Sequence, residues 1–401
     1  MKQQRPYPCF TVTHKAQLAC EAGHPWIYDT EVLEAGEHEN GGIVDVFSTR
    51  GRYIGTGLVS DHSKIRIRLL TRNASDRVDE AFWQRRVRYA WEYRKTVMGD
   101  DCNACRVIFG EADQFPGLTV DRFENVLVTQ TLSLGIERLK PVIFPLLLQV
   151  LREDGQAVDG IFERNDVGIR RLEGLAEGKG WFGEPLPSTR LTLTENGVKY
   201  RVDFENGQKT GFFLDQKYNR RATARLAAGR RVLDCFTHTG SFALNAALAG
   251  AAHVTAVDIS ADAVALAQEN ARLNGLEDRM DFRCENVFDL LPSLKGKPYD
   301  FIILDPPAFT KSRSATQNAI RGYKEINLRA MKLLPRGGYL ATCSCSHFMT
   351  DALFREMLRA AAADAGVCLR QIETRQQAPD HPVLWNVPET DYLKFYLFQI
   401  V

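Results

Sequence analysis

The sequence predicts an α/β fold for its C-terminal half, a largely parallel sheet with helices on both faces, preceded by a small β-barrel domain and an α+β middle domain. Three observations predict it. From Arg231 onward, apolar runs of strand length alternate with runs of helical periodicity, the pattern of a parallel sheet built by crossovers. Between residues 42 and 70, short β-like runs are separated by Gly- and Asp-containing turns. The length of 401 residues exceeds what one core usually fills, so several domains are expected. We expect them over 1–76, 77–187 and 188–401.

In the first segment the strands are expected at Gly42–Ser48, Tyr53–Val59 and Lys64–Leu70, with a helix near His14–Ala22 and an extended stretch His24–Tyr28. Helical periodicity runs from Asp79 to about Val97. Strands follow at Cys105–Phe109, Leu118–Arg122 and Asn125–Thr131, then a helix at Ile136–Leu151 and a strand at Gly160–Glu163. Glu173–Ser188, rich in Gly and Pro, reads as connection. Beyond it the strands are Arg231–Phe236, His253–Asp258, Asp281–Cys284, Phe301–Asp305 and Tyr339–Ser344. Helices fall at Ser241–Leu248, Ala261–Asn274, around Asn318–Leu334, and at Asp351–Ala365. Cys368–Glu373 and Tyr392–Ile400 fit an antiparallel hairpin at one edge.

Composition is ordinary for a globular protein, 44% hydrophobic and 25% charged. The N-terminal stretch Met1–Lys15 has no apolar signal region, and Val142–Leu151, broken by Pro145 and Gln149, is too short to span a bilayer. Nine irregularly spaced cysteines fit a reducing compartment. The expectation is a cytoplasmic protein with no membrane association. Net charge is +1, yet Arg66, Arg68, Arg72, Arg77, Arg85, Arg86, Arg88 and Arg94 interleave with Trp83, Tyr89, Trp91 and Tyr93. Such a stripe can follow a phosphate backbone and stack bases, or be a helix whose aromatics face the core. Cys102 and Cys105 have CxxC spacing without a second pair, so no metal site is expected.

The first core strand runs into Asp234-Cys235-Phe236-Thr237-His238-Thr239-Gly240, and the second ends in Asp258. An acid at the second strand end can accept bonds from ribose hydroxyls, so an adenosine cofactor is implied. A dinucleotide loop needs Gly-x-Gly-x-x-Gly for its pyrophosphate. Here a single glycine follows Asp234, and an acid repels phosphate but pairs with a cationic amino group. S-adenosylmethionine has that group and no phosphate. The polar Asn206–Gln216 segment, with Lys209, Phe213 and Gln216, suits a loop over this cofactor.

The fourth strand delivers Asp305-Pro306-Pro307-Ala308-Phe309 to the sheet's carboxyl edge. Asp-Pro-Pro at a strand end resembles the base-binding motif of class I nucleic-acid methyltransferases. Enzymes of amino groups place an aromatic directly after the second proline; here Ala308 stands there and Phe309 comes one residue late. Carbon 5 of a pyrimidine is a poor nucleophile until a thiolate adds to carbon 6. The fifth strand ends in Cys343-Ser344-Cys345-Ser346-His347, and Cys345, nearer the carboxyl end, is the better placed thiol. Both cysteines could equally be buried structural residues. His347 is a candidate for lowering the Cys345 thiol pKa.

Taken together, the chain resembles the bacterial large-subunit ribosomal RNA cytosine-5 methyltransferase I family over nearly its whole length. His24-Pro25-Trp26 is similar to the signature of its PUA domain, and Glu111–Arg122 to its middle domain. Lys209–Gln216, Arg321–Asn327 and Asp380–Val383 are similar to its other stretches. The resemblance implies a class I, Rossmann-like catalytic domain and a Ser-Cys-Ser nucleophile motif, which falls on Ser344-Cys345-Ser346 with Asp305 orienting the base. It implies S-adenosylmethionine held by Asp234, Phe236, Gly240, Asp258, Asn286 and Asp305, with Lys209, Phe213 and Gln216 closing over it. Asn286 stands where the family commonly has Asp before Val-Phe; its amide oxygen can accept the same bond from adenine. The partner implied is large-subunit ribosomal RNA, and a homodimer is left open. Other readings left open are methylation of another RNA base or atom, and a non-catalytic RNA-binding assembly factor. No residue in the motifs identifies the base that removes the carbon-5 proton.

Overall fold

The computed structural model describes residues 5–310 and 313–401. Residues 1–4, part of the N-terminal stretch read above as no secretory signal, lie outside the described residues, as do 311–312. The chain forms two compact units. The first comprises 1–191, 202–212 and 379–390, and the second 192–201, 213–378 and 391–401.

The first unit opens with β1 (Cys9–Val12), α1 (His14–Glu21), β2 (Trp26–Tyr28), β3 (Val32–Ala35), β4 (Ile43–Ser48), β5 (Tyr53–Val59) and β6 (Ile65–Thr71). These strands make one six-stranded sheet in the order β2-β6-β5-β4-β1-β3. Its core is apolar and fully buried at Phe10, Val12, Ile27, Val44, Val46 and Ile67. The short strands β1 and β3 carry too few alternating residues to stand out in the sequence. Next come α2 (Glu80–Met98), β7 (Ala104–Phe109), β8 (Leu118–Phe123), β9 (Val126–Thr131), α3 (Leu134–Glu153), β10 (Gly160–Arg164) and β11 (Lys179–Phe182). The five strands form a second sheet, β11-β10-β9-β8-β7.

One expectation is corrected here, and one open reading is divided. The supposed connection Glu173–Ser188 contains β11, antiparallel to β10. Trp181 packs edge-on against Phe162 and Phe182 against Phe144, with centroids 5.2 and 4.9 Å apart. Aromatic anchoring of this kind outweighs the Gly- and Pro-rich flanks. The arginine stripe is divided: Arg68, Arg86 and Arg94 are buried, whereas Arg72, Arg77, Arg85 and Arg88 are exposed. Arg68 pairs with Glu173 at 2.8 Å, Arg86 donates to the Gln114 carbonyl at 2.8 Å, and Arg94, wholly buried, binds the Asp113 carboxylate. Trp83 and Trp91 are buried too, while Tyr89 is exposed. The core-facing reading therefore holds for these three arginines and two tryptophans.

A hairpin of β12 (Arg190–Glu195) and β13 (Val198–Asp203) follows. The second unit then contains α4 (Lys217–Ala224), β14 (Arg231–Cys235), α5 (Ser241–Leu248), β15 (His253–Asp258), α6 (Ala261–Leu273), β16 (Met280–Cys284), α7 (Val287–Ser293) and β17 (Phe301–Leu304). It ends with α8 (Thr316–Leu333), β18 (Tyr339–Ser344), α9 (Asp351–Ala365), β19 (Leu369–Arg375) and β20 (Lys394–Ile400). The seven-stranded sheet has the order β16-β15-β14-β17-β18-β20-β19. Strands β14 to β18 are mutually parallel, and β20 runs antiparallel to both β18 and β19. The chain reverses its strand order after β16, returning beyond β14 to β17, and ligands bind such sheets at the carboxyl ends beside the switch point. Asp234, Asp258, Asp305 and Cys345 all fall at those ends.

Candidate active site

Val232 and Leu233, fully buried, carry Asp234 into the carboxyl edge of the sheet, where it is also fully buried. Thr237 Oγ1 and the Ala243 N–H donate to its Oδ2 at 2.6 and 3.0 Å. Its Oδ1 is buried with no hydrogen-bond partner. An unsatisfied buried acceptor costs free energy until something donates to it. Burial pushes the Asp234 carboxyl up to about 7; the Thr237 bond opposes this, and the charges of Asp305 and Asp258 add to it. A cationic amino group, such as the methyl donor carries, fits that oxygen.

The chain then bends through Phe236, His238 and Gly240, with φ of 65°, 52° and 82°. Left-handed residues in series turn the strand sharply into α5. At Gly240 a Cβ would lie 3.2 Å from Ala267 Cβ and 3.3 Å from Leu244 Cδ1, so a side chain would be crowded there and its backbone strained. Asp258 fixes the outside of the bend, its Oδ2 accepting from the His238 N–H at 2.9 Å and its Oδ1 from the Ser260 N–H at 3.0 Å. Phe213 lies edge-on to the His238 ring with centroids 5.1 Å apart. Phe213, Asp234, Phe236, Gly240 and Asp258 thus gather around one loop.

Gln216 reaches the end of β17. Its Nε2 donates to Asp305 Oδ1 at 3.0 Å, and Asn219 Nδ2 fixes its orientation by donating to Oε1 at 2.6 Å. Asn286 caps α7, its Oδ1 accepting from the Phe288 N–H at 3.0 Å. It stands at the end of β16, whose partner is β15. Lys209 belongs to the first unit, on a turn with φ of 52°, so it is not among the residues the second unit brings together.

Asp305 follows β17 and is only partly exposed. Burial raises its carboxyl to about 6, Asp215 adds to the rise, and hydrogen bonds from Cys343 and Gln216 oppose it. Such an acid can hold a proton near neutrality. Cys343 is fully buried on the neighbouring strand, and burial together with the Asp305 charge keeps its thiol well above the ordinary range. It is a neutral donor to Asp305.

Strand β18 ends at Ser344, so strict alternation stops before Cys345, which stays partly exposed. The two serines anchor it. Ser344 Oγ donates to the Tyr323 hydroxyl at 3.0 Å and Ser346 Oγ to the Thr310 carbonyl at 3.1 Å. Cys345 Sγ lies 4.0 Å from the Pro306 carbonyl, inside the Asp-Pro-Pro turn. His347 is exposed and packs edge-on against Phe348. Phe309 packs against Tyr323, with centroids 4.6 Å apart, and over Gly322. Its ring is engaged in packing.

Sequence reasoning missed Asn219, Tyr323, the bond between Cys343 and Asp305, and Lys394. The last left a signal: one lysine opens the otherwise apolar run Phe395-Tyr396-Leu397-Phe398. Among the described residues no cluster of three or more His, Cys, Asp or Glu is arranged to hold a metal. The Cys105 thiol donates to the Cys102 carbonyl at 3.3 Å, and Cys102 to that of Arg94 at 3.4 Å.

Comparison with known proteins adds to this geometry. Residues 170–399 match the family described as S-adenosylmethionine-dependent methyltransferase, and residues 10–72 match the PUA-like domain. The ribosomal RNA large subunit methyltransferase I of Klebsiella pneumoniae (strain 342) is 39% identical over 383 residues, 94% of this chain and 94% of that protein. The protein of the same name from Escherichia coli (strain SMS-3-5 / SECEC) is 38% identical over 383 residues, 94% and 96% of the two chains. Among solved structures, a protein from Streptococcus mutans assigned as a SAM-dependent methyltransferase superposes with a TM-score of 0.80 at 20% identity, covering 98% of this chain and 99% of that chain. A structure described as a methyltransferase complexed with SAH gives 0.82 at 20% identity, with the same coverage. At that identity these two likenesses speak for the fold.

Proposed function

The chain belongs to the S-adenosylmethionine-dependent methyltransferases that carry a PUA-like domain, and we propose that it forms 5-methylcytosine in large-subunit ribosomal RNA with Cys345 as nucleophile. The observation that carries this reading is the partly exposed Cys345 thiol, 4.0 Å from the Pro306 carbonyl and held by two buried serines. Asp305, a carboxyl raised to about 6, suits the task of donating to N3 of the base. A base in structured RNA has to be unstacked to reach such a site. The engaged Phe309 ring argues against methylation of an exocyclic amine.

In this mechanism the Cys345 thiolate forms the Sγ–carbon 6 bond while Asp305 gives its proton to N3, leaving carbon 5 electron-rich. S-adenosylmethionine supplies an electrophilic methyl group, which carbon 5 takes. The carbon-5 proton then passes to solvent water, the Sγ–carbon 6 bond breaks with its electrons returning to sulfur, and N3 returns its proton to Asp305. Asp234, Phe236, Gly240, Asp258 and Asn286 hold the donor, and Phe213 closes over it. Gln216 keeps Asp305 oriented and so serves the base as much as the donor. The work is divided among a PUA-like RNA-binding domain over 1–76, a middle domain over 77–187 and the catalytic domain over 188–401.

The test is transfer of a labelled methyl group to unmodified large-subunit ribosomal RNA, followed by nucleoside analysis. Wild type should give 5-methylcytidine and Cys345→Ala none. Label on a nitrogen, or an active mutant, would leave the family standing and remove this chemistry.

A further inference from the structure

Lys394 opens β20 directly opposite Ser344, one residue before Cys345. Its side chain is buried, and its ammonium donates to the Ser346 carbonyl at 2.6 Å and the Tyr392 carbonyl at 2.8 Å. Both acceptors are neutral, and among the described residues no carboxylate forms an ion pair with it. A buried charge without a counterion is costly, so a position of this kind calls for a reason. The carbonyl that holds Lys394 belongs to the residue immediately after Cys345, and the Cys345 charge is among those that act on the ammonium. Burial lowers the ammonium to about 8, while the opposing charges of Asp391, Cys345 and Asp351 act to raise it. Among the described residues the titratable groups that act on it are Asp391 from the preceding loop, Cys345 from beyond β18, and Asp351 from the first turn of α9.

We propose that Lys394 is the positioning cation that keeps Cys345 in its thiolate form. The thiol proton goes to solvent water, and the charge left on sulfur is the missing counterion of the ammonium. The inference rests on the reading of Cys345 as nucleophile. It also names the side chain that does what the sequence assigned to His347. Since Lys394 loses its own proton above about 8, its help to the thiolate is confined to lower pH.

The experiment is alkylation of the intact protein by iodoacetamide as a function of pH, with the Cys345 peptide followed by mass spectrometry. The exposed Cys9, Cys284 and Cys368 serve as internal references. In wild type the Cys345 profile should have its midpoint below those of the references. Lys394→Met should move that midpoint upward, slowing Cys345 alkylation at neutral pH roughly tenfold for each unit moved, with the references unchanged. Lys394→Arg, which keeps the charge, should stay close to wild type. SAH binding and the thermal midpoint report that each variant is folded. A folded Lys394→Met protein with an unmoved Cys345 profile overturns the inference, and so does Lys394→Arg moving as far as the methionine variant. Methyl transfer by Cys345→Ala separates the two ideas. An inactive Cys345→Ala beside an unmoved Lys394→Met profile removes only the cation, whereas an active Cys345→Ala removes the nucleophile on which it rests.

Discussion

At the scale of single residues, the unpartnered Oδ1 of Asp234 has the clearest consequence. Asn at this position keeps an oxygen for the Thr237 and Ala243 donors but turns an N–H₂ toward the place where an acceptor is needed. Asp234→Asn should therefore weaken donor binding about tenfold or more, the worth of one charged hydrogen bond, as measured by calorimetry with SAH. In wild type the same affinity should rise with pH through about 7 as the carboxyl ionises. A flat profile would show that Asp234 does not meet a cation. The two cysteines should separate cleanly. Cys343→Ala removes one donor to Asp305 and should lower turnover by about tenfold at most, while Cys345→Ala should lower it by on the order of 10³ or more. Equal losses would contradict the division of roles. The sequence named Cys345 and Asp305 from their strand ends. It could not show that Cys343 bonds Asp305, because that contact depends on the register of β17 against β18.

At the scale of elements, strands and helices with strong periodicity or caps were legible at their observed bounds. His253–Asp258 and Asp351–Ala365 are examples, the latter begun by the Thr350 side chain accepting from the Leu353 N–H. The edge hairpin of β19 and β20 was legible too. What escaped were β11, set between Gly- and Pro-rich flanks, and the hairpin β12–β13, whose two strands are joined by the tight turn Asn196-Gly197. The long resemblances at Glu111–Arg122 and Asp380–Val383 do have distant partners. Asp121 binds Arg106 and the Thr210 hydroxyl, and Asp380 accepts from the Arg106 N–H at 2.8 Å. Their chemistry is internal to the first unit. In the second unit Arg220, on α4, holds Glu195 of β12 with bonds of 2.7 and 2.8 Å and also donates to the Phe213 carbonyl at 2.8 Å. Both charged side chains are almost fully buried. Glu195→Gln should destabilise the protein by about 3 kcal/mol in denaturant unfolding, because a buried cation loses its counterion. It should also loosen Phe213, so donor affinity falls with it. Unchanged stability would place this pair outside the structural core.

At the scale of the whole molecule, the raised Asp234 carboxyl links function to stability. A carboxyl whose folded pKa stands above its unfolded value contributes stability below the unfolded value of about 3.9, and that contribution is lost as pH rises through about 7. Comparing wild type with Asp234→Asn cancels the other titrations. The variant should gain on the order of 4 kcal/mol relative to wild type between acid and mildly alkaline pH, read from thermal midpoints. No relative gain would mean that this carboxyl is not raised. Charge across the molecule is nearly balanced, with 51 Lys and Arg against 50 Asp and Glu, and several of the arginines that looked available are internal. The sequence could not distinguish those from exposed ones, since pairing partners such as Glu173 for Arg68 are far along the chain. The proposed chemistry turns on the bond between Cys345 and carbon 6. Its most direct test offers the enzyme and donor an RNA in which the target cytosine carries fluorine at carbon 5, so that the last proton cannot be removed. A stable protein–RNA adduct, mapped to the Cys345 peptide and absent from Cys345→Ala, is the expected result. An adduct on Cys343, or methylation of unfluorinated RNA with no adduct on the fluorinated one, would contradict it.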